Sequence, residues 1–145
     1  MTYESNSPEE TYKIAYEMGQ KAVPGTVIAM SGDLGAGKTL FTQGLAAGLG
    51  VKEPVNSPTF TILQIYDSGR LPLYHFDVYR IEEPEEMREV GFDDYVFGEG
   101  VAVIEWAPCV RELLPDEYVE INIYGDDARG ADYRRLEINE INQVN

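Results

Sequence analysis

The stretch GDLGAGKT, residues 32–39, has the spacing G-x-x-x-x-G-K-S/T of a phosphate-binding loop. An apolar run at residues 27–30 precedes it, as a buried strand would. Residues 38–49 follow it and place apolar side chains on one face of a helix, at Phe41, Leu45 and Leu49. This order of strand, loop and helix is the context in which the motif binds nucleotide phosphates. We therefore predict a nucleotide-binding protein.

The residues of this motif are expected to have different tasks. Glycines let the backbone curl so that successive N–H groups point at phosphate oxygens, and the following helix offers its positive end to the same anion. We expect this cradle to be formed by Gly32, Asp33, Leu34, Gly35, Ala36 and Gly37. Lys38 is then expected to reach the β- and γ-phosphates, and the Thr39 hydroxyl to coordinate Mg²⁺.

Two carboxylates end apolar runs elsewhere in the chain. Glu105 follows the run at residues 101–104, as a Walker B acid follows its strand, and Asp77 follows residues 73–76. Nucleotide hydrolysis needs a carboxylate near Mg²⁺ and a group that orients the attacking water. The pattern indicates that at least one acid serves the metal, but it leaves open which acid has which task. His75 is expected to pack or hydrogen-bond within its own strand rather than act as a base.

Thr59 and Trp106 lie close to these candidates in the sequence. The stretch NSPTF, residues 56–60, separates the phosphate-loop helix from the next strands. Its composition fits an ordinary polar turn, and it equally fits a switch-like loop that offers Thr59 to the γ-phosphate or to Mg²⁺. Trp106, the one tryptophan of the chain, directly follows Glu105. A lone tryptophan is usually a core residue, but this position ties it to the proposed metal acid.

The order of apolar patterns predicts the fold class. Strand patterns occur at residues 27–30, 61–66, 71–76, 101–104, 119–124 and 135–138, and helix patterns at residues 8–21, 38–49 and 82–90. Residues 67–70 have the composition of a hairpin turn. Ser7 and Glu10 predict a capping box at the start of the first helix. We expect an α/β, P-loop NTPase-like three-layer domain, whose central mixed sheet is parallel at its centre with antiparallel additions.

Length and composition narrow the class of protein. A chain of 145 residues is expected to form a single domain, residues 1–145. Its 26 acidic against 11 basic residues give a net charge of −15. Nucleic-acid binding depends on Lys and Arg, so we expect no direct nucleic-acid binding. We also expect no membrane span and no signal peptide, and the single cysteine, Cys109, fits a cytoplasmic protein.

The motifs of the chain occur in a distinctive order. SGDLGAGKT is followed by NSPTFTILQIY, LPLYHFDVYR and VAVIEW, and then by Leu114-Pro115. This order resembles the TsaE family, the small bacterial P-loop ATPases of tRNA threonylcarbamoyladenosine synthesis, over about residues 7–125. The resemblance implies hydrolysis of ATP to ADP with Mg²⁺. It also implies two partner proteins, TsaD and TsaB, which transfer the threonylcarbamoyl group to adenosine 37 of tRNAs that read ANN codons. The tRNA would be contacted only through these partners.

The resemblance also implies roles for single residues. By position, Lys38 would bind phosphate, Thr39 and Glu105 would hold Mg²⁺, and the hydrolytic step would need Asp77. Two further residues fall in family motifs, the SPT loop and the EW pair: Thr59 and Trp106.

Two other functions remain open at the level of the sequence. A small-molecule kinase usually has arginines that clamp the transferring phosphoryl group, and only Arg80 and Arg88 lie near the central motifs. A nucleotide-gated binding module without hydrolysis can lose its hydrolytic acid, whereas both Asp77 and Glu105 are present here. The products discriminate between an ATPase and a kinase, since one releases free phosphate and the other phosphorylates an acceptor.

Overall fold

The computed structural model describes residues 1–32, 37–56, 63–78, 83, 85–89, 91–105 and 111–143. Within these residues the chain forms a seven-stranded sheet with helices on both faces. The strands are β1 (Thr2–Ser5), β2 (Val27–Gly32), β3 (Leu63–Tyr66), β4 (Leu73–Asp77), β5 (Val101–Glu105), β6 (Glu117–Gly125) and β7 (Arg134–Asn142). The helices are α1 (Pro8–Lys21), α2 (Lys38–Leu49), α3 (Glu85–Glu89) and α4 (Phe92–Val96), and a 3₁₀ turn, Asp127–Arg129, precedes β7.

The sheet is parallel at its centre and antiparallel at both sides. The strand order is β1-β7-β6-β2-β5-β4-β3. Strands β6, β2, β5 and β4 run parallel to one another, whereas β3 and β7 are antiparallel to their neighbours and β1 is antiparallel to β7. This topology confirms the predicted fold class. The carboxyl ends of the parallel strands meet at one edge, which is where open α/β sheets bind their ligands.

Two helical layers cover the sheet. On one face, α1 and α2 pack against strand residues in a core that contains Ala15, Phe41, Leu45, Ile28, Met30 and Val103. On the other face, α3 and α4 bury apolar side chains against the same strands in a core that contains Met87, Phe92, Val96, Ala102 and Ile104. The predicted apolar face of α2 is confirmed, because Phe41, Leu45 and Leu49 are all buried.

Helices α1 and α2 approach so closely that their backbones are in contact at glycines. A Cβ added to Gly48 would lie 2.2 Å from the carbonyl oxygen of Tyr16. A Cβ added to Gly19 would lie 2.3 Å from the carbonyl oxygen of Leu45. Since real Cβ contacts are essentially never below 3.0 Å, a larger residue at either position would force the helices apart.

The start of α1 differs in one bond from the predicted capping box. Ser7 caps the helix as expected, since its Oγ accepts a hydrogen bond from the Glu10 N–H at 3.1 Å. The Glu10 carboxylate, however, accepts from the N–H of Asn6 at 2.6 Å, whereas a capping box would use the N–H of Ser7. The carboxylate still satisfies a backbone donor and lies near the positive end of the helix.

The hairpin between β3 and β4 connects the sheet to the ends of both large helices. The Arg70 guanidinium donates to the carbonyl oxygens of Gly19 at 2.9 Å, Gln20 at 3.2 Å and Ala22 at 3.0 Å, at the end of α1. The Arg70 backbone N–H donates to the Leu49 carbonyl at 2.7 Å, at the end of α2. The predicted hairpin is confirmed, and its turn is hydrogen-bonded to the ends of both α1 and α2.

Some elements were not predicted, or have other bounds than predicted. Strand β1 has no apolar alternation and is held by backbone pairing with β7, and α4 is too short to show a helical period. Strands β6 and β7 extend beyond their apolar centres because they pair with each other over nine residues each. The acidic helix expected at residues 82–90 is observed as Glu85–Glu89. Residues 61–62 of a predicted strand lie outside the described residues.

Candidate functional site

The phosphate-loop motif lies at the carboxyl end of β2 and leads into α2. Gly32 is the last residue of β2, Gly37 is the N-cap of α2 with φ 102°, and Lys38 is the first helical residue. Four expected cradle residues lie outside the described residues: Asp33, Leu34, Gly35 and Ala36. The side chain of Lys38 is buried, and its Nζ donates to the Gly32 carbonyl oxygen at 3.3 Å. The ammonium group therefore lies back over the start of the loop.

Gly32 is fixed by the neighbouring strand as well as by the loop. Its φ of 145° is a conformation that L side chains rarely adopt. A Cβ at this position would lie 2.2 Å from the carbonyl oxygen of Ile123 on β6. The first glycine of the motif is thus required by the contact between β2 and β6. From the sequence this glycine is expected only to let the loop curl, because the neighbours of a strand are not visible in a sequence.

Asp77 and Glu105 are direct neighbours at the same edge of the sheet. Asp77 ends β4, Glu105 ends β5, and the two residues are paired in register. On the other side of β5, Glu105 is paired with Met30 of β2. Residues paired in register point to the same face of a sheet, and Met30 belongs to the core beneath α1 and α2. Both carboxylates therefore face the helical layer in which α2 begins.

The two acids differ in burial. Glu105 is 2% exposed, whereas Asp77 is only partly buried. A carboxylate that is withdrawn from water is suited to a fixed ligand or partner, and one at the rim can contact a water molecule. The structure thus brings together the two acids that the sequence analysis selected, in different environments.

His75 contacts Glu105 from the neighbouring strand. His75 is two residues before Asp77 on β4, so its side chain points to the same face. Its Nε2 lies 3.0 Å from Oε2 of Glu105, and both side chains are buried. The expectation that His75 packs in the core is confirmed by its burial, whereas its hydrogen bond goes to β5 and not to its own strand. The sequence places both residues near the carboxyl ends of predicted strands. Predicting that they are in contact would also require knowing that β4 and β5 are neighbours.

A small pocket lies beside the loop on the side away from these acids. Its volume is about 40 Å³, and it is bounded by the start of α1, the start of α2 and the start of β7. Its lining residues are Pro8, Thr11, Gly37, Leu40, Asp132 and Arg134. The Arg134 side chain is close to the loop, since a Cβ on Gly37 would lie 3.7 Å from Arg134 Nε. Of these pocket residues, only Gly37 is a site residue predicted from the sequence.

Thr39 is the second residue of α2, beside Lys38. In the described part of the chain, no three His, Cys, Asp or Glu side chains come together as a metal-binding group. Thr59 and Trp106, two further candidates, lie outside the described residues. Of the helices that the structure describes, none has the length and apolar character of a membrane span.

The strand order, the two helical layers and the glycine motif between β2 and α2 define an α/β protein of the P-loop NTPase-like class. The family model described as "Threonylcarbamoyl adenosine biosynthesis protein TsaE" matches residues 5–135. The chain belongs to the TsaE family.

Individual relatives agree with this assignment. A protein named tRNA threonylcarbamoyladenosine biosynthesis protein TsaE from Bacillus subtilis strain 168 is 52% identical over 125 residues, which cover 85% of this chain and 78% of the relative. The protein of the same name from Treponema pallidum is 44% identical over 119 residues, covering 82% and 87%. The crystal structure of Bacillus subtilis YdiB is similar with a TM-score of 0.81 and 41% identity, covering 97% of this chain and 84% of that one.

Proposed function

We propose that this chain is a Mg²⁺-dependent ATPase that serves the formation of threonylcarbamoyladenosine in tRNA. Membership of the TsaE family supports the pathway, because the relatives carry its name. The enzymatic part is supported by one observation: the motif lysine at the start of α2 and two strand-end carboxylates all lie at the same edge of the parallel sheet. A phosphate cradle, a metal acid and a water-orienting acid are the parts that P-loop hydrolysis needs.

In this proposal, the start of α2 holds the phosphates. The first N–H groups of a helix lack partners within the helix and carry its positive end. Lys38 adds a full positive charge at the same place, and its ammonium group already lies over Gly32. The backbone of residues 32–37 completes the cradle on the strength of the motif.

The oxygen donors at this edge fit Mg²⁺. Magnesium is usually held by one or two carboxylates together with substrate phosphates rather than by a cage of protein ligands. Thr39 supplies a hydroxyl and Glu105 a buried carboxylate. A Mg²⁺ ion held by Thr39 and Glu105 would supply positive charge to offset the negative charge that develops on the transferring phosphoryl group.

Asp77 is assigned to the attacking water. Its carboxylate is beside Glu105 in the sheet but is less buried, so it can accept a hydrogen bond from a water molecule at the rim. Orienting that water in line with the γ-phosphate is the remaining requirement for hydrolysis. Thr59 and Trp106 are further proposed contacts of the nucleotide, on the strength of their motifs alone.

The surface around the pocket beside Gly37 is the proposed place of the nucleoside, since the pocket itself, at about 40 Å³, is too small to enclose one. The acids lie on the β5 and β4 side of the loop, where the γ-phosphate and metal would be. The pocket lies on the opposite side, between α1 and β7. A nucleotide whose phosphates follow the loop from one side to the other would therefore direct its ribose and base towards the start of α1 and Arg134.

TsaD and TsaB are the proposed partners. The net charge of −15 disfavours direct contact with tRNA phosphates. Recognition of the tRNA is therefore left to the partners, while this chain supplies the ATP-driven step. Tight binding of tRNA by the isolated chain at physiological salt would contradict this division.

The test is phosphate release from ATP, measured with and without purified TsaD and TsaB. We expect the pair to stimulate phosphate release and the stimulation to be lost in Asp77→Asn. The matched control is Asp93→Asn, which removes an exposed carboxylate on α4 and should behave like the wild type. Absence of stimulation in the wild type would contradict the partnership.

The same assay separates an ATPase from a kinase. A kinase would transfer the phosphoryl group to an added metabolite and release little free phosphate. Among the described arginines, Arg88 is on α3 with its side chain 66% exposed beside Glu85, which is not the geometry of a phosphoryl clamp. We therefore expect free phosphate to account for the ATP consumed.

A further inference from the structure

His75 is the buried residue that the proposed reaction has not used. Its side chain is 0% exposed, and Glu105 contacts its Nε2 at 3.0 Å. The other ring nitrogen, Nδ1, is buried and has no hydrogen-bond partner among the described residues. Burying an imidazole costs free energy unless its polar atoms are satisfied. Among the described residues, the hydrogen bond to Glu105 is therefore the polar interaction that offsets the cost of burying His75.

The direction of this hydrogen bond follows from the chemistry of the two groups. An ionised carboxylate can only accept hydrogen bonds. Nε2 of His75 must therefore carry a hydrogen and act as the donor, and Oε2 of Glu105 is the acceptor. This bond uses one of several acceptor positions of the carboxylate, so the group retains the capacity to bind a cation.

The bond also limits the freedom of a flexible side chain. A glutamate has three rotatable side-chain bonds, and holding it in one rotamer costs conformational entropy. His75 lies on β4, which is paired with β5 on one side and β3 on the other, and its side chain is fully buried, so it is a rigid hydrogen-bond donor for Glu105. A neighbouring donor of this kind sets the orientation of a metal-binding side chain and is worth about 10- to 100-fold in metal affinity.

We propose that His75 is a positioning residue that fixes the Glu105 carboxylate for Mg²⁺ in the nucleotide site. This inference rests on the proposed function, since it assumes that Glu105 serves the metal. His75 touches neither nucleotide nor water in this scheme and acts only through Glu105.

The test uses two amide variants of the full-length chain. The amide nitrogen of His75→Gln can occupy the place of Nε2 and still donate to Glu105, whereas that of His75→Asn is too short to reach it. Both variants place a polar amide in the core, so they are matched in the type of group that is buried. For each, the Mg²⁺ concentration for half-maximal binding of a fluorescent, non-hydrolysable ATP analogue is measured, together with the affinity in EDTA.

We expect His75→Asn to raise the half-maximal Mg²⁺ concentration about tenfold or more, and His75→Gln to stay within about threefold of the wild type. Affinity for the analogue in EDTA should be the same in all three proteins. An unchanged Mg²⁺ requirement in His75→Asn would overturn the proposal. An equal loss of affinity with and without Mg²⁺ would also overturn it, since a purely structural role predicts that result.

Glu105→Gln separates this inference from the proposed function. If Glu105→Gln removes the Mg²⁺ dependence and His75→Asn does not change it, the positioning role alone is wrong. If Glu105→Gln leaves the Mg²⁺ dependence intact, the metal assignment is wrong and the positioning role is overturned with it.

A measurement on the wild type keeps the proposal testable should the variants not fold. The chain has one histidine, so its imidazole nitrogen resonances after selective ¹⁵N labelling belong to His75. We expect a proton on Nε2, whether or not Nδ1 also carries one, and a change of the Nε2 resonance when Mg²⁺ is added to the nucleotide-bound protein. A neutral ring with its proton on Nδ1, or no response to Mg²⁺, would overturn the proposal.

Discussion

Asp77 and Glu105 are paired neighbours at the carboxyl ends of two adjacent parallel strands, β4 and β5. Neighbouring strands lie about 4.8 Å apart, so two ionised carboxylates at these positions repel each other. A cation between them, and the Lys38 ammonium from the same edge, would relieve that repulsion. This pairing supports the metal site proposed above, and the different burial of the two acids predicts different effects when each is neutralised.

Neutralising Glu105 should weaken binding that depends on the metal. Glu105→Gln keeps the size of the buried side chain but removes the charge that would attract Mg²⁺. We expect the affinity for ATP in Mg²⁺ to fall about tenfold or more and the affinity in EDTA to remain unchanged. Isothermal titration with and without Mg²⁺ measures both values, and an equal effect under the two conditions would contradict a metal role.

Neutralising Asp77 should affect turnover rather than binding. Asp77→Asn retains a side chain of the same shape beside Glu105 but loses the carboxylate that would orient water. We expect kcat for phosphate release to fall about 10²- to 10⁴-fold, with the affinity for ATP nearly unchanged. Steady-state assays with TsaD and TsaB, paired with titrations, provide the two numbers. The opposite pattern for the two acids would exchange their roles.

Replacing Gly32 should destabilise the fold because of the neighbouring strand. In Gly32→Ala the new Cβ would lie 2.2 Å from the Ile123 oxygen at a φ of 145°. We expect a loss of about 3 kcal/mol in the free energy of unfolding, from strain and overpacking together. The matched control is Gly130→Ala, where φ is 114° but nothing lies within 4 Å of the new Cβ. Urea unfolding should show a clearly smaller loss for that control.

Gly48→Ala tests the contact between α1 and α2, because helix propensity and the contact predict opposite changes in the free energy of unfolding. Helix propensity alone predicts that alanine stabilises α2 by about 1 kcal/mol relative to glycine. The contact with the Tyr16 carbonyl predicts the opposite, since the new methyl would lie 2.2 Å from that oxygen. We expect a net destabilisation of about 2 kcal/mol in urea unfolding. Any net stabilisation would mean that the helices separate easily.

Removing the Arg70 guanidinium should loosen the end of α1. Arg70→Met keeps the aliphatic stem and loses three hydrogen bonds to the carbonyls of residues 19, 20 and 22. We expect unfolding to be easier by about 1 to 3 kcal/mol. Arg88→Met is the control, because its ion pair with Glu85 is 3.9 Å long and exposed and should contribute less than about 1 kcal/mol. Equal effects of the two variants would contradict a special role for Arg70.

The central elements were predictable because their patterns are local. The apolar run of β2, the glycine motif and the apolar face of α2 follow one another along the chain, and the structure has them within a few residues of the predicted bounds. Periodicity also selected both acids, since each ends an apolar strand. Local patterns thus identified the elements and most candidate site residues.

Contacts between distant segments were not predictable in the same way. Burial patterns indicate which side chains face a core, but they do not say which strands are neighbours. The bond between His75 and Glu105 depends on β4 lying next to β5. The close approach at Gly48 depends on how α1 crosses α2, and a glycine in a helix pattern alone suggests only a weak helix.

The hydrogen bonds of Arg70 have a consequence for the candidate site, which lies at the other ends of α2 and β4. Helix α2 runs from Lys38 to Leu49, the hairpin turn connects Leu49 to Arg70, and β4 returns to Asp77. Lys38 and Asp77 therefore lie at the far ends of α2 and β4, and the other ends of these two elements are joined through Arg70. Because α2 and β4 are joined at that end, a displacement of α2 is transmitted to β4. A partner that tilts α2 would displace Lys38 against Asp77 and would change the rate of hydrolysis without touching either residue.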